Sequence, residues 1–185
     1  MYYSTTYQSP VGTLTLAGDC EKLVGLWIEG QKYYGGSVSE KTIEKSDAPI
    51  FKKTEKWLDK YFEGKNPVVS ELPLAPLGGE FRQEVWNILR EIPYGEVITY
   101  GYIAKKMAKK MNRASMSAQA VGGAVGHNPI SIIIPCHRVV GSNGSLTGYA
   151  GGIGIKVKLL ELEGADMSCL FVPKRGTALY VGGER

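Results

Sequence analysis

A cysteine and a histidine stand side by side in Ile132-Ile133-Ile134-Pro135-Cys136-His137-Arg138-Val139-Val140, and such a pair can make a nucleophile. A thiol attacks as its thiolate, and a neighbouring imidazole can take the proton or hold it through a water. Three consecutive isoleucines predict a strand buried on both faces. Pro135 cannot donate to a ladder, so pairing is expected to stop there. The pattern therefore drives a thiol into the interior. Burial alone leaves a thiol inert, because low dielectric disfavours the thiolate. A structural cysteine is the competing reading, since free Cys is among the most buried residue types.

The remaining composition narrows the chemistry. With 185 residues, 43% hydrophobic and 22% charged, the chain is that of an ordinary globular protein of one large or two small domains. No apolar run approaches the roughly 20 residues that span a bilayer, so no membrane association is expected. The amino terminus, Met1-Tyr2-Tyr3-Ser4-Thr5-Thr6, lacks the basic and apolar regions of a signal peptide. Cys20, Cys136 and Cys169 are an odd number at wide spacing, which argues against a disulfide framework and for a reducing, cytoplasmic setting. There is no Cys-x-x-Cys and the only histidines are His127 and His137, so a four-ligand zinc site is not expected.

Two kinds of element must position the pair. Early in the chain, Thr13-Leu14-Thr15-Leu16 and Leu23-Val24-Gly25-Leu26-Trp27-Ile28 read as strands, with turn signals at Ser9-Pro10-Val11-Gly12 and Gly18-Asp19. A helix over roughly 48–63 follows, its stripe made by Phe51, Trp57, Leu58, Tyr61 and Phe62, and Gly64-Lys65-Asn66-Pro67 ends it. The Pro- and Gly-rich stretch from Leu72 to Gly79 reads as a linker and a domain boundary.

Beyond it the pattern becomes helical. Phe81, Val85, Ile88, Leu89 and Ile92 form one amphipathic face, closed by Pro93-Tyr94-Gly95. Thr99 is suited to cap the next helix, whose apolar set is Tyr100, Ile103, Ala104, Met107, Ala108 and Met111, with Lys105, Lys106, Lys109 and Lys110 on its other side. Those lysines could serve solvation alone. The segment from Ser115 to Gly126 has helical character but almost no large side chains. Each Gly inside a helix costs roughly 1 kcal/mol relative to Ala. The adjacent Gly122 and Gly123 therefore imply tight packing or close approach of a ligand. A basic helix followed by a small-residue helix is the outline of a helix-turn-helix. The second helix lacks base-reading Arg and Asn, so sequence-independent contact is expected.

These residues resemble the O6-alkylguanine-DNA alkyltransferases (methylated-DNA–protein-cysteine methyltransferases) over nearly the whole chain. The matching stretches are Ser9-Pro10-Val11-Gly12, Leu58 to Gly64, Phe81-Arg82-Gln83-Glu84-Val85-Trp86, Ile92 to Val97, Ala120 to Ala124, and Gly148-Tyr149-Ala150-Gly151-Gly152. Most specific is Pro135-Cys136-His137-Arg138-Val139 with Asn128-Pro129 upstream. The resemblance implies an α+β/α/β fold: a small ribonuclease-H-like sheet-plus-helix domain over 1–74, then a mostly helical, winged-helix-like DNA-binding domain over 75–165. The tail, 166–185, matches nothing and its role is open. The implied partner is double-stranded DNA containing O6-alkylguanine, entered from the minor groove by a monomer. The implied reaction is single-turnover transfer of the alkyl group from O6 of guanine, and to a lesser extent O4 of thymine, to the cysteine, without a cofactor.

By the same resemblance Cys136 is the nucleophile, His137 the base, Glu163 the carboxylate that orients it, and Asn128 the hinge that satisfies buried loop backbone. Tyr100 corresponds to the tyrosine that donates to the departing guanine; Val139, Tyr149, Ala150 (through its N–H) and Gly151 flank the base. Without the resemblance, Glu163 would read as a solvated residue and Tyr100 as a core aromatic. The flipped base costs a few kcal/mol to extrude. Ala118, Gln119, Ala120, Gly122, Gly123, Arg138, Lys109 and Arg113 are expected at the DNA.

Two departures matter. The family usually places an arginine where this chain has Gln119, which can wedge but brings no charge. The chain is also longer than typical relatives around Lys110-Met111-Asn112-Arg113-Ala114, so Lys109, Lys110 or Arg113 could supply the missing phosphate attraction. The alternatives are a weakened or non-catalytic alkyltransferase-like protein that senses damage, a helix-turn-helix regulator without chemistry, and a cysteine hydrolase. The last two need, respectively, no Pro-Cys-His and a Cys and His far apart in sequence.

Overall fold

The computed structural model describes residues 1–38 and 42–174. The chain divides into two compact units: Met1–Gly78 with Pro129–Ile133, and Gly79–Asn128 with the remainder from Ile134.

The first unit is a four-stranded sheet and a helix. Strands β1 (Tyr2–Ser9), β2 (Gly12–Gly18) and β3 (Leu23–Ile28) form an antiparallel meander, and β4 (Thr42–Glu44) pairs parallel to β1, giving the order β3-β2-β1-β4. Gly12 supplies the positive φ of +111° that the β1–β2 turn requires, and Ser9 Oγ donates to the Gly12 carbonyl (2.6 Å). Leu14 and Leu16 on β2 and all six residues of β3 are buried. Helix α1 (Pro49–Phe62) begins with Pro at its first turn, where no N–H is missed. It buries Phe51, Trp57, Leu58 and Tyr61 of the stripe expected over 48–63, and Ile50 besides, while Phe62 is half-buried. Tyr7 Oη on β1 donates to Asp59 Oδ1 on this helix (2.7 Å). Pro129–Ile133 joins the unit by pairing with β3: Leu26 N–H donates to the Pro129 carbonyl and Ser131 N–H to that of Leu26, each at 2.9 Å.

The second unit is built from α2 (Glu80–Arg90), β5 (Ile98–Thr99), α3 (Tyr100–Lys110), α4 (Ala118–Gly126), β6 (Val139–Val140) and α5 (Ile153–Leu162). Thr99 caps α3, its Oγ1 accepting from Tyr102 N–H (3.1 Å). Ser117 caps α4 by accepting from Gln119 and Ala120 N–H. Trp86 on α2 donates its indole N–H to the Ala124 carbonyl on α4 (2.9 Å), a reach that the small side chains of α4 permit. Strands β5 and β6 are parallel, Ile98 opposite Val139 and Thr99 opposite Val140. That register brings the start of α3, and so Tyr100, beside the residues that follow Cys136-His137-Arg138.

The first part of the tail is fastened to the second unit. Phe171 N–H donates to the Gly144 carbonyl (3.1 Å) and Leu146 N–H to that of Phe171 (2.9 Å), while Ala165, Met167 and Leu170 pack on Val140, Leu146 and Leu160. A Cβ on Gly144 would meet the Cys169 carbonyl oxygen at 2.0 Å, so this approach needs glycine. Arg175 and Gly176 lie outside the described residues.

Candidate active site

The run Ile132-Ile133-Ile134 is buried, but it is not the strand expected for it. Ile133 N–H donates to the Ser131 carbonyl and Cys136 N–H to that of Ile134, both at 2.8 Å, so the chain winds through tight turns. Ile132 sits at φ +70°, a left-handed conformation that costs a β-branched residue roughly 1–3 kcal/mol. An apolar run this short marks burial without fixing conformation, and prolines bound it on both sides. Past Pro135, Cys136–Arg138 forms one turn of 3-10 helix that is buried throughout.

Asn128 follows α4 and is buried. Its Nδ2 donates to the Ile134 carbonyl (2.7 Å) and to Cys136 Sγ (3.2 Å). It thereby ties the end of α4 to the turn that carries the thiol. Cys136 is 4% exposed. Burial pushes its thiol up, while the Asn128 hydrogen bond and the charge of Lys156 pull the other way.

His137 Nε2 lies 2.6 Å from Glu163 Oε1, both side chains fully buried. Burial drives the imidazole below its ordinary value, against the pull of Glu163, so the ring is neutral near pH 7. Burial would by itself raise the Glu163 carboxyl, but the hydrogen bonds and charges of His137 and Arg138 outweigh that and hold it well below the usual range. A neutral imidazole facing a carboxylate through Nε2 must donate there. Its Nδ1 is then unprotonated, and this buried atom has no hydrogen-bond partner among the described residues. The site therefore holds a proton acceptor on the residue next to the thiol.

Glu163 caps the carboxyl end of α5 and accepts from His137 Nε2, Arg138 Nε (2.8 Å), Arg138 Nη2 (3.0 Å) and Gly95 N–H (3.2 Å). Gly95 has φ +78°, and a Cβ there would meet the Glu163 carbonyl oxygen at 2.8 Å. Arg138 corrects the expectation that it meets DNA. Its side chain is 9% exposed, and its remaining fork atom Nη1 donates to the Ile92 carbonyl (2.7 Å). Its donors are turned inward, where an uncompensated Glu163 would otherwise be costly.

Lys156 was not anticipated. It is 0% exposed on α5 and donates through Nζ to the carbonyls of Val139 and Thr147. Burial depresses its ammonium to about 7, with Cys136 the group that opposes the shift. The signal was present: Ile153, Lys156, Leu160 and Glu163 recur at i, i+3, i+7 and i+10, so both charged residues lie on the apolar stripe of α5.

Tyr100 is buried, and its hydroxyl donates to the carbonyls of Thr147 (3.0 Å) and Gly148 (3.3 Å). Burial raises its phenol above the ordinary value. Tyr149 is buried with its ring edge-on to His137 (6.4 Å between centroids), and its hydroxyl has no partner among the described residues. Ala150 and Gly151 are half-buried in the loop leading into α5, and Val139 is fully buried beside the thiol turn.

On α4, Ala118, Gln119 and Ala120 are exposed in the first turn. Gly122 is buried, which does not fit the place at the DNA expected for it. Gly123 is half-buried, and a Cβ there would touch nothing within 4 Å, so internal packing does not account for it. The lysines of α3 fall into two groups. Lys106 pairs with Glu91 (2.7 Å) and Lys110 with Glu84, both acids on or just after α2, whereas Lys105, Lys109 and Arg113 are exposed. Among the described residues no group of three or more His, Cys, Asp or Glu is arranged to hold a metal, and no helix is long and apolar enough to cross a membrane.

The ribonuclease-like domain of 6-O-methylguanine DNA methyltransferase matches residues 1–76, and the DNA binding domain of the same protein matches 80–165. A methylated-DNA–protein-cysteine methyltransferase of Haemophilus influenzae is 42% identical over 161 residues, covering 87% of this chain and 86% of that protein. One from Methanosarcina acetivorans is 44% identical over 170 residues, covering 89% and 99%. Among solved structures, Mycobacterium tuberculosis OGT in complex with DNA aligns with a TM-score of 0.74 at 41% identity, covering 88% of this chain and 91% of that one.

Proposed function

The chain belongs to the 6-O-methylguanine DNA methyltransferase family, and from that premise we propose that it repairs double-stranded DNA by taking the alkyl group of O6-alkylguanine onto Cys136, once per molecule. O4-alkylthymine is the lesser substrate. The observation that carries the reading is the buried His137–Glu163 pair on the residue that follows Cys136, with Asn128 clamping the thiol.

The reaction follows from the groups in place. His137 Nδ1 takes up the Cys136 proton, and the imidazolium that forms is stabilised by Glu163. The Sγ lone pair attacks the alkyl carbon, the S–C bond forms and the C–O6 bond breaks. The electron pair stays on the base, which takes up one proton from solvent and leaves as guanine. The imidazolium gives its proton back to solvent, so no proton is gained or lost overall. Lys156 offsets the thiolate charge: with Arg138 and Glu163 already paired, an ionised Cys136 is the natural partner of the second buried cation. The Tyr100 hydroxyl, held by the Thr147 and Gly148 carbonyls in this state, turns to the guanine as charge develops there. The thioether does not hydrolyse, so the protein is spent.

Access to the base requires flipping. Ala118 and Ala120 let α4 enter the minor groove, the open space over Gly123 admits close approach of the backbone, and Gln119 fills the gap. Lys109 and Arg113 supply phosphate attraction; Lys110 is committed to Glu84. The protein works as a monomer, without a cofactor.

Incubation with duplex DNA containing O6-methylguanine, followed by mass analysis of the Cys136 peptide, tests the reading. A gain of one methyl group, absent in Cys136→Ala, is expected. DNA binding with no gain would make the protein a damage sensor instead.

A further inference from the structure

Arg138 is buried beside the His137–Glu163 pair, its side chain 9% exposed. Its guanidinium spans the Glu163 carboxylate, Nε to Oε2 (2.8 Å) and Nη2 to Oε1 (3.0 Å), and Oε1 is the same oxygen that His137 Nε2 approaches at 2.6 Å. Nη1 is anchored separately on the Ile92 carbonyl (2.7 Å), and the Tyr94 ring lies 5.7 Å from Cζ. The fork is thus fixed on three sides and in turn fixes both oxygens of the acid. We propose that Arg138 is a positioning residue of the transfer reaction: by pinning Glu163 as a bare carboxylate it compels His137 to carry its proton on Nε2, leaving Nδ1 open to receive the proton of Cys136.

The chemistry demands something of this kind. A neutral imidazole has two tautomers, and only the one protonated on Nε2 has Nδ1 available as a base. Were Glu163 to hold a proton it could donate to Nε2, and the acceptor would then be on the wrong side of the ring. Arg138 opposes both errors, because its charge disfavours a protonated Glu163 and also a protonated His137. A lysine would bring the charge but not the two-pronged geometry.

The inference rests on the proposed reaction, so the test needs one readout that includes the reaction and one that does not. The charged and titratable groups around the pair are Arg138, Lys156, Cys136, Tyr149 and Tyr94. All but the first are common to wild type and Arg138 variants, so their titrations cancel in the comparison. The first readout is the pH profile of methyl transfer from duplex O6-methylguanine. In R138Q the acid limb is expected to move up by about 1 pH unit or more, with R138K between it and wild type, and DNA affinity unchanged. The second is the ring nitrogen NMR of His137, tractable because the chain has only one other histidine. Wild type is expected to show an unprotonated Nδ1 and a protonated Nε2 at neutral pH, and R138Q a mixture or an imidazolium.

An unmoved acid limb with an unchanged nitrogen pattern would overturn the proposal. So would weakened DNA binding at an unchanged profile, which would return Arg138 to the DNA. If R138Q fails to fold, R138K decides alone by the same limb and the same spectrum. Absence of transfer by the wild type would sink the repair reading, while the tautomer measurement would still judge Arg138.

Discussion

Lys156 and Glu163 stand two helical turns apart on one stripe of α5, both buried, the first held by the Val139 and Thr147 carbonyls with its ammonium brought down to about 7 by burial, and the second an anion holding His137. A single helix therefore delivers opposite charges to the two halves of the Cys136-His137 pair. Glu163 sets the base, and Lys156 sets the environment in which the thiol ionises.

Removing the cation should be visible in two ways. Lys156→Met is expected to slow methyl transfer at neutral pH by tenfold or more, since the thiolate loses its counter-charge. It should also change the pH dependence of stability. Burial brings the lysine down to about 7 in the folded chain, below its ordinary 10.5, so between those values the unfolded chain binds the proton and the folded chain does not. Stability from this group is fully present above 10.5 and is lost as pH falls to 7. Urea denaturation across pH 7 to 10 should show wild type gaining on Lys156→Met, by on the order of a few kcal/mol; parallel curves would contradict it.

Asn128→Ala removes a side chain that donates to both the Ile134 carbonyl and Cys136 Sγ. An unsatisfied buried acceptor costs about 1–3 kcal/mol. The variant should unfold at correspondingly lower urea and transfer methyl more slowly even where it is fully folded. Intact transfer in the folded variant would show that Asn128 matters only to stability.

The substitution Gln119→Arg should strengthen DNA binding and base flipping, because it adds a charge at the exposed first turn of α4. Equilibrium binding to duplex DNA and single-turnover rates measure the two effects. Unchanged affinity and rate would remove Gln119 from the DNA contact.

The split among the basic residues predicts a difference in salt dependence. Lys109→Ala and Arg113→Ala should each lower the slope of log affinity against log salt by about 0.9. Lys110→Ala, whose ammonium already faces Glu84, should change it much less. Equal effects at all three positions would contradict the assignment.

Much of this arrangement was legible in the residues. The turn at Ser9–Gly12, the stripe of α1, the face of α2, the Thr99 cap and the small-residue α4 all follow from local patterns that tertiary packing did not override. The partners of the thiol were a different matter. Glu163 and Tyr100 entered through resemblance alone, because nothing local marks a helix-end glutamate or an apolar-face tyrosine as part of a site. Lys156 was overlooked although it lies on the apolar stripe, since a lone lysine in a helix ordinarily reaches water. Arg138 is expected at the DNA through the resemblance, and only the long-range approach of Glu163 reveals the acid that claims it. The isoleucine run failed as a strand because burial and conformation are separate properties of so short a segment.

The account stands most directly on the fate of the methyl group. Excess duplex DNA carrying a labelled O6-methylguanine, added to a known amount of protein, should transfer label until a plateau of one methyl per protein, all of it on Cys136 and none in Cys136→Ala. Label that passes the plateau with continued turnover, or that fails to reach Cys136 while the DNA is bound, would contradict it.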